Sequence, residues 1–272
     1  MKLRTALKST CTPLLLLALV GLIATAPFRV AQAAPPTTYE EILRSIAEAT
    51  ASVKTWSADV EMRRKMGGVE IHSNGEMFGS GDRVVSDLAM EIMGQLIEVK
   101  SVLGDDGIHW TETRSMGNIQ IIKLDMNALG NSEDGSSLTS GGSGQGSARD
   151  PSKMFEELGE MYDMTLAGNE VMDGTDTYIV EGTIKEEFKK NLDASGGAGM
   201  SSNKIRVALG TEDGFIRKFE QINTDGVQFM SMIYSDVKIN PPINDSVFQY
   251  TPPEGANVID GTKMLTQRTG GH

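Results

Sequence analysis

A chain of 272 residues carrying a net charge of −12 is long enough for one sizeable domain and too acidic to favour nucleic acid or an anionic membrane surface as its partner. Its one cysteine, Cys11, excludes an internal disulfide framework and a cysteine-built metal site. The three histidines, His72, His109 and His272, show no H-x-x-x-H or H-x-H spacing, so no metal and no cofactor is expected.

The first 33 residues read as an address rather than as structure. Lys2, Arg4 and Lys8 precede an apolar run over 14–23, and Ala31-Gln32-Ala33 makes a small-residue cleavage site, which together describe a secretory signal peptide. The run is short for a membrane span and is broken by Gly21. Cys11 lies before it, on the wrong side for lipid attachment. The expectation is a periplasmic or secreted protein, soluble after cleavage near Ala33 and still more acidic once Lys2, Arg4, Lys8 and Arg29 have gone. Residues 34–260 then form one domain, with 261–272 as a disordered tail.

Thr38-x-x-Glu41 is a capping box opening a helix whose apolar positions Ile42, Ile46, Ala49 and Val53 share a stripe. At Trp56 the period changes to two, with Trp56, Ala58, Val60 and Met62 alternating with polar residues. Further alternating runs follow between short Gly-containing turns at 67–68, 79–82, 94–95, 105–107 and 117–118, the pattern of an antiparallel meander. Residues 130–148 and 195–203 are rich in Gly and Ser and read as flexible insertions. Between them, Asp150-Pro151 starts a short helix with Phe155, Leu158 and Tyr162 on one stripe and Met154 and Met161 beside it. Strands resume from 165 and end in a long one. There Val227, Phe229, Ser231, Ile233, Ser235 and Val237 point one way, and Gln228, Met230, Met232, Tyr234 and Asp236 the other. Apolar groups on both faces predict that something covers the second face. Pro241-Pro242 stops the strand, and Phe248, Tyr250, Pro252-Pro253-Glu254-Gly255 and Val258-Ile259-Asp260 follow. The fold class is α+β and mainly antiparallel, with roughly ten or eleven strands.

Nothing in this pattern is catalytic. Asp105-Asp106 followed by Gly107 reads as a turn, and no serine sits in a G-x-S-x-G elbow, so the chain reads as a non-enzyme.

The order of several pieces resembles the LolA-like lipoprotein carrier family: the helix before Lys54-Thr55-Trp56-Ser57-Ala58-Asp59-Val60, the strand Ser73-Asn74-Gly75-Glu76-Met77-Phe78, the pairs Asp106-Gly107 with Trp110 and Gly174 with Tyr178, and the Asn-Pro-Pro, Phe-x-Tyr-x-Pro-Pro-x-Gly ending. The resemblance implies an unclosed β-barrel whose concave apolar face is covered by a helical lid, with acyl chains held between. On that basis Trp56, Met62, Met90, Val99, Trp110, Met232 and Tyr234 are candidates for the cavity wall, and Val53, Phe155, Leu158 and Met161 for the lid. In the family an Arg-Pro pair commonly follows the strand ending here at Phe78, and its arginine helps hold the lid. This chain has Gly79-Ser80-Gly81-Asp82-Arg83 instead, which makes Arg83 the substitute.

The implied function is a monomeric carrier that takes the acyl chains of lipoproteins or lipids from a donor membrane protein to an acceptor. An envelope-stress sensor or protein-interaction domain of the same fold is the alternative, and an unrecognised hydrolase the third class. Intact mass tests the address: the exported protein should begin at Ala34 and carry no lipid, and a diacylated Cys11 would rule out the soluble form.

Overall fold

The computed structural model describes residues 36–66, 68–129, 155, 158–189, 202–223 and 225–263. The signal peptide read over 1–33, the insertion at 130–148 and residues 195–201 of the second insertion lie outside the described residues.

Helix α1 (Tyr39–Thr50) begins where the capping box places it. The Thr38 side chain accepts from the Glu41 N–H at 3.2 Å, and Glu41 returns the bond by accepting from the Thr38 N–H at 3.3 Å. Ile42 and Ile46 are fully buried on its inner stripe. Val53 falls just beyond the helix but still packs against the same core.

The strands are β1 (Thr55–Met66), β2 (Val69–Ser80), β3 (Arg83–Ile92), β4 (Gln95–Leu103), β5 (Ile108–Ser115) and β6 (Asn118–Asp125), followed by a helical turn α2 (Met126–Leu129). After residue 155 and the helical residues 158–161 come β7 (Tyr162–Met172), β8 (Thr175–Ile184), β9 (Lys204–Gly210), β10 (Ile216–Ile222), β11 (Gln228–Ile239) and β12 (Val258–Asp260). They form one unclosed twelve-stranded sheet in the order β12-β6-β5-β4-β3-β2-β1-β11-β10-β9-β8-β7. The expected meander is thus two meanders, joined where the first strand pairs with the last long one. The strand beyond the expected ten or eleven is β12. It has three residues and runs parallel to β6, with Ile259 opposite Ile122, so it shows no alternation to read and no hairpin to announce it.

The alternation expected for β11 holds only as far as Tyr234. Asp236 adopts φ 47° and the register with β1 slips between Ser57 and Asp59, a bulge that adds one residue. Past it the faces exchange, so Val237 and Ile239 join Met230, Met232 and Tyr234 on the inner, helix-covered face. The bulge falls on an aspartate, a residue type that tolerates left-handed backbone.

The chain after β11 covers part of the other face. Asn240, at φ 56°, accepts from the Lys54 N–H at 2.7 Å and donates to the Ser52 carbonyl at 3.1 Å, turning the chain outward. A 3-10 turn, Asp245–Phe248, then seats Phe248 on Val85 and Val102, with Phe78, Ile243, Val247 and Tyr250 around it. Tyr250 packs on Trp110 at 5.5 Å between rings and donates to the buried carboxylate of Glu112, which Arg114 also contacts. Residues 261–263, placed in the tail by the sequence, make a helical turn whose Thr262 hydroxyl accepts from the Asp125 N–H at 2.7 Å. Ser202 and Asn203, read within the second insertion, are likewise tied to the sheet, Asn203 donating to the Ile222 carbonyl at 2.8 Å.

Burial alone would raise the Glu112 pKa, but the Tyr250 and Arg114 donors outweigh it and hold the carboxyl below its ordinary range. A depressed folded pKa adds stability that is present above the unfolded value and is lost as pH falls through the folded one. Tyr250→Phe should therefore cost about 1.5–3 kcal/mol at pH 7, the range for a hydrogen bond to a charged group. The difference from wild type should fade below the normal carboxylate range. Urea titrations at pH 7 and pH 3 measure it, and an equal difference at both values would remove Glu112 from the account.

Candidate functional site

The inner face of the sheet is readable as rows of cross-strand partners. One row runs from β7 to β6 through Leu166, Val180, Val207, Phe219, Met232, Met62, Ser73, Met90, Ile97, Ser115 and Asn118. From Leu166 to Ile97 every side chain but Ser73 is apolar, and the row turns polar only toward the β6 edge. Three of its members are methionines, whose flexible thioether chains fit irregular surfaces.

Over this face lie α1 and the helical residues 155 and 158–161. Phe155 is fully buried and Leu158 8% exposed, packed in one cluster with Ile42, Ile46, Trp56, Val60, Met232 and Tyr234. The two helical pieces are tied to each other by the Tyr39 hydroxyl, which donates to the Phe155 carbonyl at 2.5 Å. Lys185, just after β8, donates from Nζ to the carbonyls of Gly159 and Glu160 at 2.8 and 2.9 Å, fixing the end of the second piece. A cation at helix-terminal carbonyls is the favourable arrangement.

At the other end of α1, Trp56 meets Phe215 at 5.0 Å and Phe215 meets Tyr234 edge-on at 5.8 Å. Gly79 makes room for this stack, since a Cβ there would stand 2.1 Å from the Trp56 indole nitrogen. Burial pushes the Tyr234 hydroxyl pKa well up, and its proton goes to the Met232 sulfur at 2.8 Å. Tyr162 is raised for the same reason. These two phenols therefore stay neutral at physiological pH.

The structure gathers most of the residues singled out from the sequence. Trp56, Met232, Tyr234, Phe155 and Leu158 are in the buried cluster, and Val53, Met62 and Met161 pack against it half-buried. Met90 and Val99 share the inner face by register and are half-buried. Trp110 does not belong with them. It pairs with Val102 and Lys123, on the opposite face from Val99, because even and odd positions alternate and β5 presents His109, Thr111 and Thr113 inward. Arg83 is also placed differently. It bonds Asp245 at 2.9 Å, stands 4.5 Å from the Phe248 ring centre and contacts the Ser80 hydroxyl, so it holds the C-terminal segment and not the helices.

Phe215, Met77 and Val60 belong to the cluster, and Phe219 packs against it, without having been singled out. The signal for Phe219 was present in its alternation with Lys218 and Glu220; Phe215, within a turn, gave none. Ser73 was also missed. It is 2% exposed, sits in the row between Met62 and Met90, and its Oγ has no hydrogen-bond partner among the described residues. Among the described residues no group of three or more His, Cys, Asp or Glu could hold a metal, and no helix is long and apolar enough to cross a membrane.

No protein-family model matches the chain, and no curated protein matches its sequence. Solved structures do resemble it. An uncharacterized conserved protein of Thermus thermophilus is 10% identical with a TM-score of 0.45, covering 81% of this chain and 98% of its own. The lipoprotein LppX of Mycobacterium tuberculosis is 16% identical with a TM-score of 0.43, covering 76% and 98%. A putative outer membrane lipoprotein-sorting protein domain of Vibrio parahaemolyticus is 13% identical with a TM-score of 0.33, covering 77% and 96%. The architecture that the sequence resemblance implied, an unclosed antiparallel sheet under a helical lid, is the one this chain adopts.

Tyr39→Phe should cost about 0.5–1.5 kcal/mol, the usual net worth of one hydrogen bond. It should also speed amide exchange in α1 while leaving β5 unchanged. Exchange mass spectrometry reads both, and unchanged α1 protection would mean that the tie does not hold the lid.

Proposed function

We propose that this chain is an extracytoplasmic carrier that takes acyl chains of lipoproteins or lipids between its sheet and its helices and passes them between membranes. The observation that carries the reading is the methionine-bearing inner row beneath helices whose contact with it is an apolar side-chain cluster. Such contacts are non-directional, so an acyl chain can replace them one for one as the helices tilt away. No bond is made or broken.

Magnitudes favour exchange over permanent capture. About sixteen methylenes at roughly 0.8 kcal/mol each set a ceiling near 13 kcal/mol, which alone would hold cargo far too long. The stripe of α1 and the Phe155–Leu158 pair must give up their sheet contacts to admit it, and that loss subtracts several kcal/mol from the ceiling. Ser73 adds a chemical preference: its hydroxyl, without a partner among the described residues and set amid methionines, can donate to the ester or amide carbonyl at the head of an acyl chain.

Leu158→Asp should weaken binding of a fluorescent fatty acid at least about tenfold, or roughly 1.4 kcal/mol. Leu158→Ala serves as the milder variant should the charge prevent folding, and circular dichroism checks each. Unchanged affinity in a folded variant would remove the second helix from the site. A wild type that binds no acyl ligand yet holds a protein partner would favour the sensor reading.

A further inference from the structure

The hairpin turns of the sheet differ in chemistry, and two at one end stand out. At one end the hairpins β2–β3, β4–β5, β7–β8 and β9–β10 turn through Asp82, Asp105, Asp106, Asp173, Glu212 and Asp213. At the other, β3–β4 and β5–β6 turn through Met93-Gly94 and Met116-Gly117. Met93 and Met116 adopt φ of 52° and 51°, followed by glycines at 77° and 78°. The same pair of angles at Asp173-Gly174 is met by an aspartate, at φ 49° and 73°. Methionine is therefore not what the turn needs, and an unbranched side chain with no polar atom to relieve left-handed backbone is strained there. Strain kept at two neighbouring tips invites a functional reason.

The tips are also displayed. Met93 is 85% exposed and Met116 69%, beside Leu96 at 60% and Ile119 at 43%. Val69 and Val227, at the β1–β2 and β10–β11 hairpins of this same end, are exposed as well, whereas Val171 lies at the aspartate end. No ionisable side chain occurs from Ile92 to Ile97 or from Ser115 to Ile122, although 23% of the chain is charged. Neighbouring strands lie about 4.8 Å apart, so these tips stand roughly 10 Å from each other.

We propose that the tips Met93-Gly94 and Met116-Gly117, with Leu96 and Ile119, dock this end of the molecule on a neutral lipid bilayer. The proposal deepens the carrier reading and rests on it for its purpose, though not for its geometry. Protruding apolar tips need a soft medium to enter, which a bilayer supplies and a protein supplies only through matching pockets. Charge selects the lipid. An acidic chain is repelled by an anionic surface, whereas the two tips carry no ionisable side chain over 92–97 and 115–122, so they can enter an uncharged surface although Asp225 stands at the same end. The inner positions Met90 and Ile97 lie close to these turns, which brings the apolar row near the membrane.

The test is flotation of the exported protein with phosphatidylcholine vesicles, compared with the double variant M93N/M116N. Asparagine accepts left-handed backbone better than methionine, so the variant should fold at least as stably. Its partition into vesicles should fall at least tenfold while fluorescent fatty-acid binding stays unchanged. Equal partition of wild type and variant, or no partition of the wild type, would overturn the docking surface. Loss of fatty-acid binding by the wild type with vesicle partition intact would instead reject the carrier reading alone.

Discussion

The antiparallel pairing of β1 with β11 joins the N-terminal meander of β1–β6 to the C-terminal meander of β7–β11, and without it neither half would share a core with the other. Across this seam Met62 faces Met232 and Val60 faces Tyr234, so the inner row is continuous just where α1 lies over it. The pairing joins residues about 170 positions apart in sequence, a contact whose loop-closure entropy must be met before it contributes. The bulge at Asp236 is part of the same constraint, because it moves Val237 and Ile239 to the inner face and lets Asn240 tie the end of the strand to Ser52 and Lys54.

A sheet with apolar groups on both faces needs two covers, and they differ in physical character. The outer cover is the segment after β11, held by directional bonds as well as packing: Arg83 to Asp245, Tyr250 to Glu112, and the parallel ladder of β12 with β6. The inner cover is helical, and apart from the Lys185 bonds that hold the end of its second piece, its contact with the sheet is a cluster of aliphatic and aromatic side chains. Directional bonds hold one geometry. Apolar contact tolerates exchange of one partner for another of similar area, which is what a carrier's lid requires.

Much of this was legible because it rests on local rules. The capping box placed α1 at Thr38, and strict alternation in β1 put Trp56, Val60 and Met62 on one face. What stayed illegible depends on long-range register or on non-repeating backbone. Trp110 is large and apolar, and its sequence alone does not say that Tyr250 and Lys123 will cover it on the outer face. Val237 was misplaced because a one-residue bulge reverses every position beyond it. Arg83 was expected at the lid by analogy with a residue followed by proline. Here it follows a two-residue turn and is drawn outward by Asp245 and the Phe248 ring. Ser73 gave no signal, since an unpartnered hydroxyl becomes evident only once its neighbours are placed.

The central claim is that the space between sheet and helices exchanges its own apolar contacts for those of an acyl chain. Mass analysis of lipids extracted from the protein, purified without detergent from its own host, tests this most directly. The account predicts an acyl-bearing lipid or lipoprotein fragment retained at near one per chain and lost on denaturation. Recovery of the folded protein free of any acylated molecule, with no uptake when such lipids are offered, would contradict it.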